Sequence, residues 1–345
     1  MTNATNVSLG EGNTPVLPFT SLARELGVSE IWGKAEWMNP TGSYKDRIAA
    51  ATISDALRRH NRGWIGTSSG NGGAAMSAYG AKAGLPGFLC IAADAPEEKI
   101  RSIIPYGTTL MPMSQLGLTE MDAIRELARE FNLKLSVTAY RYNPEGMAGA
   151  EDIGSELPDQ REFTHIYVPS GGGGLLVAIA RGLGSRLKSL PKLICAQPRG
   201  CNPIVQFLNH EIDAPAINRC TSLVSGLQLP DPPDGELAAI AVAQSNGWGC
   251  DVTDEETWSM QDFLSKKEGV FVEPASALAV AAIASDIRSG RLSATDRPVA
   301  ILTGSGLKDL RRFSSVAKSN GKTFRMSDLR SVLQKIDENA IPSKQ

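Results

Sequence analysis

The sequence predicts an α/β fold built on open, mostly parallel sheets with helices on both faces. Short apolar runs that end in small or polar turns alternate with helical patterns, as in repeated strand–turn–helix units. Glycine is in excess, with 34 in 345 residues against a usual share of roughly 7%, and the glycines gather where strands end. At roughly 150 residues per domain, the length suits about two domains or one large one.

The elements follow in chain order. A Pro40-Thr-Gly42 turn runs into a helix over 43–56. Trp64-Ile-Gly-Thr reads as a strand, Ser68-Ser-Gly-Asn-Gly-Gly as its turn and Ala74-Ala-Met-Ser-Ala-Tyr-Gly-Ala as a helix, with Phe88-Leu-Cys-Ile-Ala-Ala as the next strand. The pattern recurs in His165-Ile-Tyr-Val-Pro, Ser170-Gly-Gly-Gly-Gly and Leu175-Leu-Val-Ala-Ile-Ala, and again in Pro298-Val-Ala-Ile-Leu followed by Thr303-Gly-Ser-Gly. Carboxyl ends of strands are where open α/β sheets bind ligands. Near the end, Ser327 can cap a helix whose Leu329, Val332, Leu333 and Ile336 fall on one face.

Composition narrows the function. Thirty-five Lys and Arg against 37 Asp and Glu give a net charge of −2 with no long run of one sign, which disfavours nucleic-acid and membrane partners and points to a small molecule. Apolar stretches fall well short of the roughly 18 residues of a membrane span, and Met1-Thr-Asn-Ala-Thr-Asn lacks the start of a secretory signal. Five cysteines without a C-x-x-C pair fit reduced thiols in a cytoplasmic protein. Three scattered histidines offer no metal site.

Three chemistries compete for the glycine loops. Gly70-Asn-Gly72-Gly-Ala-Ala75, with Asp94 after the next strand, matches a dinucleotide fingerprint and an NAD-dependent dehydrogenase, but leaves 171–174 without a role. Gly66-Thr-Ser68-Ser-Gly70 matches a serine-hydrolase elbow, with His165 and His210 as the available bases. The third is a lysine that forms a Schiff base with pyridoxal phosphate while glycine loops hold the phosphate. Lys45, in Asn39-Pro-Thr-Gly-Ser-Tyr-Lys-Asp-Arg47, falls in a first helical turn, against the positive end of the helix dipole, and a neutral amine is what an aldehyde needs.

That stretch resembles the cofactor-lysine motif of the tryptophan-synthase-β-like (fold type II) pyridoxal-phosphate enzymes, and its opening resembles threonine synthases most. Further stretches agree in order: Gly12-Asn-Thr-Pro15, Ser68-Ser-Gly-Asn71, Gln197-Pro-Arg-Gly-Cys-Asn-Pro203, Gly269-Val-Phe-Val-Glu-Pro-Ala-Ser-Ala277 and Thr303-Gly-Ser-Gly-Leu-Lys-Asp309. The resemblance implies pyridoxal 5'-phosphate between a smaller mobile domain, 40–145, and a larger one made of 1–39 and 146–345, in a homodimer. It assigns Lys45 to the Schiff base and to proton transfer, Asn71 to the cofactor's phenolic oxygen, and Gly171, Gly172, Gly173 and Gly174 to its phosphate. Thr303 falls to the pyridine nitrogen, where a hydroxyl suits elimination and replacement better than transamination. Ser68 and Ser69 fall to the substrate carboxylate, with helix capping as their alternative. Glu273 either lines the site or makes a salt bridge, and Lys308 reads as structural.

A threonine synthase converts O-phospho-L-homoserine and water into L-threonine and phosphate, and so needs a second anion site. Here Gly72 replaces the usual Thr, Ser305 replaces the His of T-G-H-G, and Tyr140-Arg-Tyr-Asn-Pro-Glu-Gly146 alters the stretch that supplies the phosphate-binding Arg, with Arg141 as the substitute. The Ser-Ser-Gly-Asn-Gly and Gly-Gly-Gly-Gly-Leu loops resemble serine and threonine dehydratases instead. The alternative is therefore an ammonia-lyase or a β-replacing synthase acting through an aminoacrylate.

Overall fold

Two separate sheets carry the chain, and in each the strand order reverses at one point, where an open sheet can take a ligand. The computed structural model describes residues 6–93, 100–313, 325–327 and 330. Met1–Asp309 form one compact unit and Leu310–Gln345 a second, whose described part contains the single turn Arg311–Phe313. Asp94 and the stripe Leu329, Val332, Leu333 and Ile336 lie outside the described residues.

The strands are β1 (Val16–Pro18), β2 (Trp32–Lys34), β3 (Gly63–Gly66), β4 (Gly87–Ala92), β5 (Thr109–Met113), β6 (Leu133–Leu135), β7 (His165–Pro169), β8 (Lys192–Pro198), β9 (Trp248–Val252) and β10 (Pro298–Ile301). They form a six-stranded sheet in the order β1-β2-β10-β7-β8-β9 and a four-stranded sheet in the order β5-β4-β3-β6. Every pairing is parallel except β1 with β2. Strands buried on both faces need continuous apolar runs, and β7 and β10 are buried throughout.

Alternation sorts the strand residues onto two cores. Tyr167, Ile194, Ala196 and Ala300 pack with the alanine-rich helix Pro274–Arg288 on one face. Ile166, Val168, Leu193, Cys195, Val299 and Ile301 pack with the helix Gly174–Gly184 on the other. That second helix approaches its neighbour Glu151–Gln160 closely: a Cβ at Gly182 would collide with the Glu151 carbonyl oxygen, and one at Gly154 with that of Ile179. In the smaller sheet Trp64, Leu89 and Ile91 face Ala49, Ile53 and Tyr79, whereas Ile65, Cys90 and Leu135 face Ile124 and Ala128.

Chain order fixes the switch points. After β7 the chain adds β8 and β9 on one side and returns with β10 on the other, so the crevice opens beyond the carboxyl ends of β7 and β10. In the small sheet β3 is flanked by β4 on one side and β6 on the other, which places the second crevice after β3 and β6.

A buried ion network anchors the helix Lys45–Arg58 between the sheets. The Arg47 guanidinium donates from Nε and Nη2 to Glu36 (both 2.8 Å) and from Nη1 and Nη2 to Glu156 (2.6 and 2.9 Å). The Arg47 side chain is 3% exposed and that of Glu36 0%. Lys34 Nζ donates to Glu156 and to the Thr14 carbonyl oxygen (2.7 Å). Burial alone would raise the Glu156 carboxyl, but the hydrogen bonds and charge of Arg47, aided by Lys34, hold it at about 2. Its ordinary value is 4.5, so the stability it adds is complete above that pH and is lost as pH falls towards 2. Among the described residues no helix is long and apolar enough to cross a membrane.

Arg47→Met leaves Glu36 buried without its cation and should cost about 3–5 kcal/mol, read from urea unfolding at neutral pH. The variant should also lose much of the wild-type decline in stability between pH 4.5 and 2. A change below about 1 kcal/mol would mean that Glu36 is not left uncompensated when the guanidinium is removed.

Candidate functional site

Each residue of the stretch 39–47 is held by a contact that the fold supplies. Asn39 accepts the Gly12 amide on Oδ1 (2.9 Å) and donates from Nδ2 to Glu36 (2.8 Å to the carbonyl oxygen, 2.9 Å to Oε2). Gly42 takes φ 85°, a left-handed conformation that favours glycine. Asp46 accepts both the Thr41 amide (2.8 Å) and hydroxyl (2.6 Å), and burial pushes its carboxyl up to about 6 against those bonds. The helix begins at Lys45, two residues later than the periodicity suggests. Ser43 instead bridges to Gly304, and the Tyr44 amide donates to the Thr303 carbonyl oxygen (3.0 Å). The first turn of the lysine helix is thus sewn to the loop that follows β10.

Half-buried Lys45 donates from Nζ to the Tyr44 hydroxyl, 4.3 Å above the centre of the Tyr44 ring. Across from it, Glu273 gathers two residues from different sheets: Asn71 Nδ2 donates to its Oε2 (2.7 Å) and Thr303 Oγ1 to its Oε1 (2.8 Å). Ser276 Oγ lies 3.1 Å from Thr303 Oγ1. Burial pushes the Glu273 carboxyl above the usual carboxylate range, while Thr303, Asn71, Lys308 and Lys45 pull it back. Glu273 therefore faces the site and makes no salt bridge among the described residues. Gly304 makes room for it, since a Cβ there would lie 2.5 Å from Oε2. Glu-Pro at a helix start signals a helix N-terminus and gives no hint of this partner set.

The 171–174 loop leaves β7 and opens the helix Gly174–Gly184, with Gly173 at φ 86° as its N-cap. A Cβ at Gly173 would meet the Asp234 carbonyl oxygen at 2.6 Å. Among the described residues nothing accepts the amides of Gly171, Gly172 or Gly173. These free donors sit at the positive end of a helix dipole, a ready anion cradle. Asp234 closes its far side: its amide donates to the Gly172 carbonyl oxygen (3.0 Å), and its carboxylate accepts the amides of Tyr140 (2.8 Å) and Arg141 (3.2 Å). Arg141 is exposed, 5.8 Å from the Tyr142 ring centre, and makes no salt bridge among the described residues, though its charge acts on Asp234.

Ser68 and Ser69 follow β3, at the other crevice. Gly70 caps the helix Asn71–Ala83 without a side-chain bond, so neither serine fills the capping role, and neither hydroxyl has a partner among the described residues. A Cβ at Gly72 would lie 3.0 Å from Ser68 Oγ. His165 cannot serve as base to Ser68: it is buried at the amino end of β7, the edge opposite the loops, beside Thr164 Oγ1 (2.8 Å).

An amine at a helix start, a loop of free amides, two polar groups brought together from the two crevices by Glu273 and two unengaged serine hydroxyls fit pyridoxal phosphate. Among the described residues no group of three or more His, Cys, Asp or Glu could hold a metal ion.

The family model described as pyridoxal-phosphate dependent enzyme matches residues 7–304. The threonine synthase of Halalkalibacterium halodurans is 32% identical over 316 residues, covering 88% of this chain and 84% of the relative. That of Methanocaldococcus jannaschii is 32% identical over 317 residues, covering 88% and 76%. Among solved structures, maize serine racemase superposes with a TM-score of 0.76 at 23% identity, covering 89% of this chain and 92% of that one. A fungal L-serine ammonia-lyase from Rhizomucor miehei gives 0.75 at 20% identity, covering 89% and 98%. At those identities the structural matches bear on fold alone.

Gly304→Ala should crowd Glu273 and lower stability by about 1–3 kcal/mol in urea unfolding. Gly184→Ala, where a Cβ meets nothing within 4 Å, should be neutral or stabilise by up to about 1 kcal/mol. Equal effects at both sites would remove the packing argument for Glu273.

Proposed function

The chain belongs to the pyridoxal-phosphate-dependent enzyme family, and from that premise we propose that it performs the threonine synthase reaction, converting O-phospho-L-homoserine and water into L-threonine and phosphate. The observation that carries the choice is Arg141. Its backbone is fixed by Asp234 beside the glycine loop, and its guanidinium is exposed with no salt bridge among the described residues, its charge acting on Asp234 without a direct contact, so that it can meet a second anion. The similarity to threonine synthases at 32% identity supports the same reading.

In this reading the amides of Gly171, Gly172, Gly173 and Gly174 hold the cofactor's phosphate, Asn71 meets its phenolic oxygen and Thr303 its ring nitrogen. When bound, pyridoxal phosphate supplies the aldehyde that takes up the amino group and the ring that accepts electrons from the substrate. Lys45 Nζ holds the cofactor at rest and afterwards moves protons at the substrate carbons. Tyr44, through its hydroxyl bond to Nζ, keeps the amine aimed. The Ser68 and Ser69 hydroxyls and the turn amides bind the substrate carboxylate at the start of the helix Asn71–Ala83. Arg141 takes the substrate phosphate. The segment 40–145 acts as a smaller mobile domain that closes on the carboxylate and excludes water until the replacement step. The proposal includes a cytoplasmic homodimer, in keeping with five free cysteines.

One observation favours a second reading, an ammonia-lyase or β-replacing synthase acting on serine, threonine or an analogue. Ser68 leaves little space beside Gly72 for a longer side chain, and Ser305 is spent capping the turn Gly306–Lys308 by accepting the Leu307 amide. Both positions thus lack groups that a threonine synthase usually carries.

Incubation with O-phosphohomoserine, serine, threonine and O-acetylserine separates the two. Threonine and inorganic phosphate from the first substrate are expected, whereas ammonia and an oxo acid from serine or threonine alone would overturn the reading. Lys45→Ala should lose turnover by ~10³-fold or more with an unchanged circular dichroism spectrum; near-normal turnover would move the catalytic role to another residue.

A further inference from the structure

A second cavity lies at the free edge of the smaller sheet, alongside β6, and none of the residues that line it belongs to the site above. It measures about 290 Å³, close to the lower end of the roughly 300–1,000 Å³ that ligand sites occupy. Arg59 and Asn61, just beyond the helix Lys45–Arg58, form one side, and Arg125 and Arg129 of the helix Leu118–Glu130 form another. Four cations, these three arginines and Lys134 of β6, share the wall with one carboxylate, Glu145. Each cation also meets a carboxylate. Arg59 and Lys134 both bind Asp55 (2.9 and 2.7 Å) and Glu145 (2.8 and 3.2 Å), while Arg125 binds Asp122 (2.9 Å) and Arg129 binds Glu126 (2.8 Å). Charge alone therefore does not make this a site.

Two orphaned atoms do. Of the five buried side-chain polar atoms that lack a hydrogen-bond partner among the described residues, two belong to this wall, Arg125 Nε and Asn61 Oδ1. Buried polar atoms are normally satisfied, so each exception calls for a missing partner. The Asn61 amide cannot turn over to escape, because its Nδ2 donates to the side-chain oxygen (2.8 Å) and the carbonyl oxygen (3.4 Å) of Asn132, both acceptors. Asn132 is fixed in turn by donating from Nδ2 to the His60 carbonyl oxygen (3.1 Å). The wall thus lacks one acceptor, for the Nε–H, and one donor, for Oδ1. The excess of cations favours a carboxylate as that acceptor, and an ammonium is a donor that the same small molecule can carry. Ala128, Leu133, Leu135 and Tyr142 complete the wall and suit an apolar body. We propose that the cavity is a binding site for a free apolar α-amino acid of about the size of leucine: its carboxylate meets Arg125 Nε, its ammonium meets Asn61 Oδ1 and its side chain packs on Leu133 and Leu135. An inorganic anion has no apolar part, and an apolar acid or amine supplies only one of the two partners. The inference does not rest on the reaction proposed above, since it uses none of the same residues.

The test is calorimetric titration of the full-length protein with L-leucine after borohydride treatment, which prevents any cofactor aldehyde from taking up the amino group. Leucine should bind at a single site, with isocaproate, isoamylamine and inorganic phosphate each weaker by about tenfold or more. Arg125→Lys keeps a cation for Asp122 but removes the Nε–H, and should weaken leucine by about tenfold or more. Asn61→Leu should weaken leucine by a similar factor and leave isocaproate unchanged, a contrast that stands even if Arg125→Lys fails to fold. No binding of leucine, binding that neither substitution alters, or phosphate bound as tightly as leucine would each overturn the proposal. A protein that never takes up pyridoxal phosphate would overturn the cofactor reading instead, with this titration still deciding the role of the cavity.

Discussion

The buried guanidinium of Arg47 is the constraint on which the site depends. It is shared between Glu36, three residues ahead of the lysine motif, and Glu156, on a helix more than one hundred residues later. A planar fork with five donors can grip two carboxylates with two bonds each, which the three donors of a lysine cannot. Burying three charges gains little net stability over an apolar replacement. What it supplies is geometry: Lys45 is two residues away on the same helix, and the first turn of that helix cannot shift without stranding a charge. The N-terminal strand enters the same network through Thr14, whose hydroxyl donates to Glu36 and whose carbonyl oxygen receives Lys34.

From that anchor the site assembles by topology. Each sheet offers one switch point, and the four loops that leave them carry the free amides, the serines, Thr303 and a buried Ser136 after β6. Gln197 shows how a motif can serve position instead of chemistry: it donates to the Ser170 carbonyl oxygen and accepts the amides of Ile204 and Val205, holding the base of the glycine loop against the next helix. Asp234 does the same from the other side.

Much of this was legible in the residues. Strands β7 and β10 and the glycine turns after them announce themselves through unbroken apolar runs followed by small residues, and Lys45, Asn71 and Thr303 fall in motifs that the fold brings to one cleft. The start of the lysine helix was misplaced by two residues because Ser43 and Tyr44 pair with a loop 260 residues away, which no local pattern encodes. Glu273 was ambiguous for the same reason: its partners come from residue 71 and residue 303, and sequence spacing cannot tell a salt bridge from a carboxylate that gathers two neutral donors. Lys308 reads as structural, and its bond to the Thr41 carbonyl oxygen agrees with that reading.

In the proposed reading substrate choice rests on Arg141, Gly72 and Ser305 at the periphery of this centre, and the chemistry rests on the identity of one nitrogen. Reduction of the pyridoxal-phosphate-loaded protein with borohydride, followed by mass-spectrometric peptide mapping, tests it most directly. The account predicts one phosphopyridoxyl group, carried by the peptide containing Lys45, with Lys308 unmodified. A label on Lys308 or any other lysine in place of Lys45, or no label at all, would contradict it.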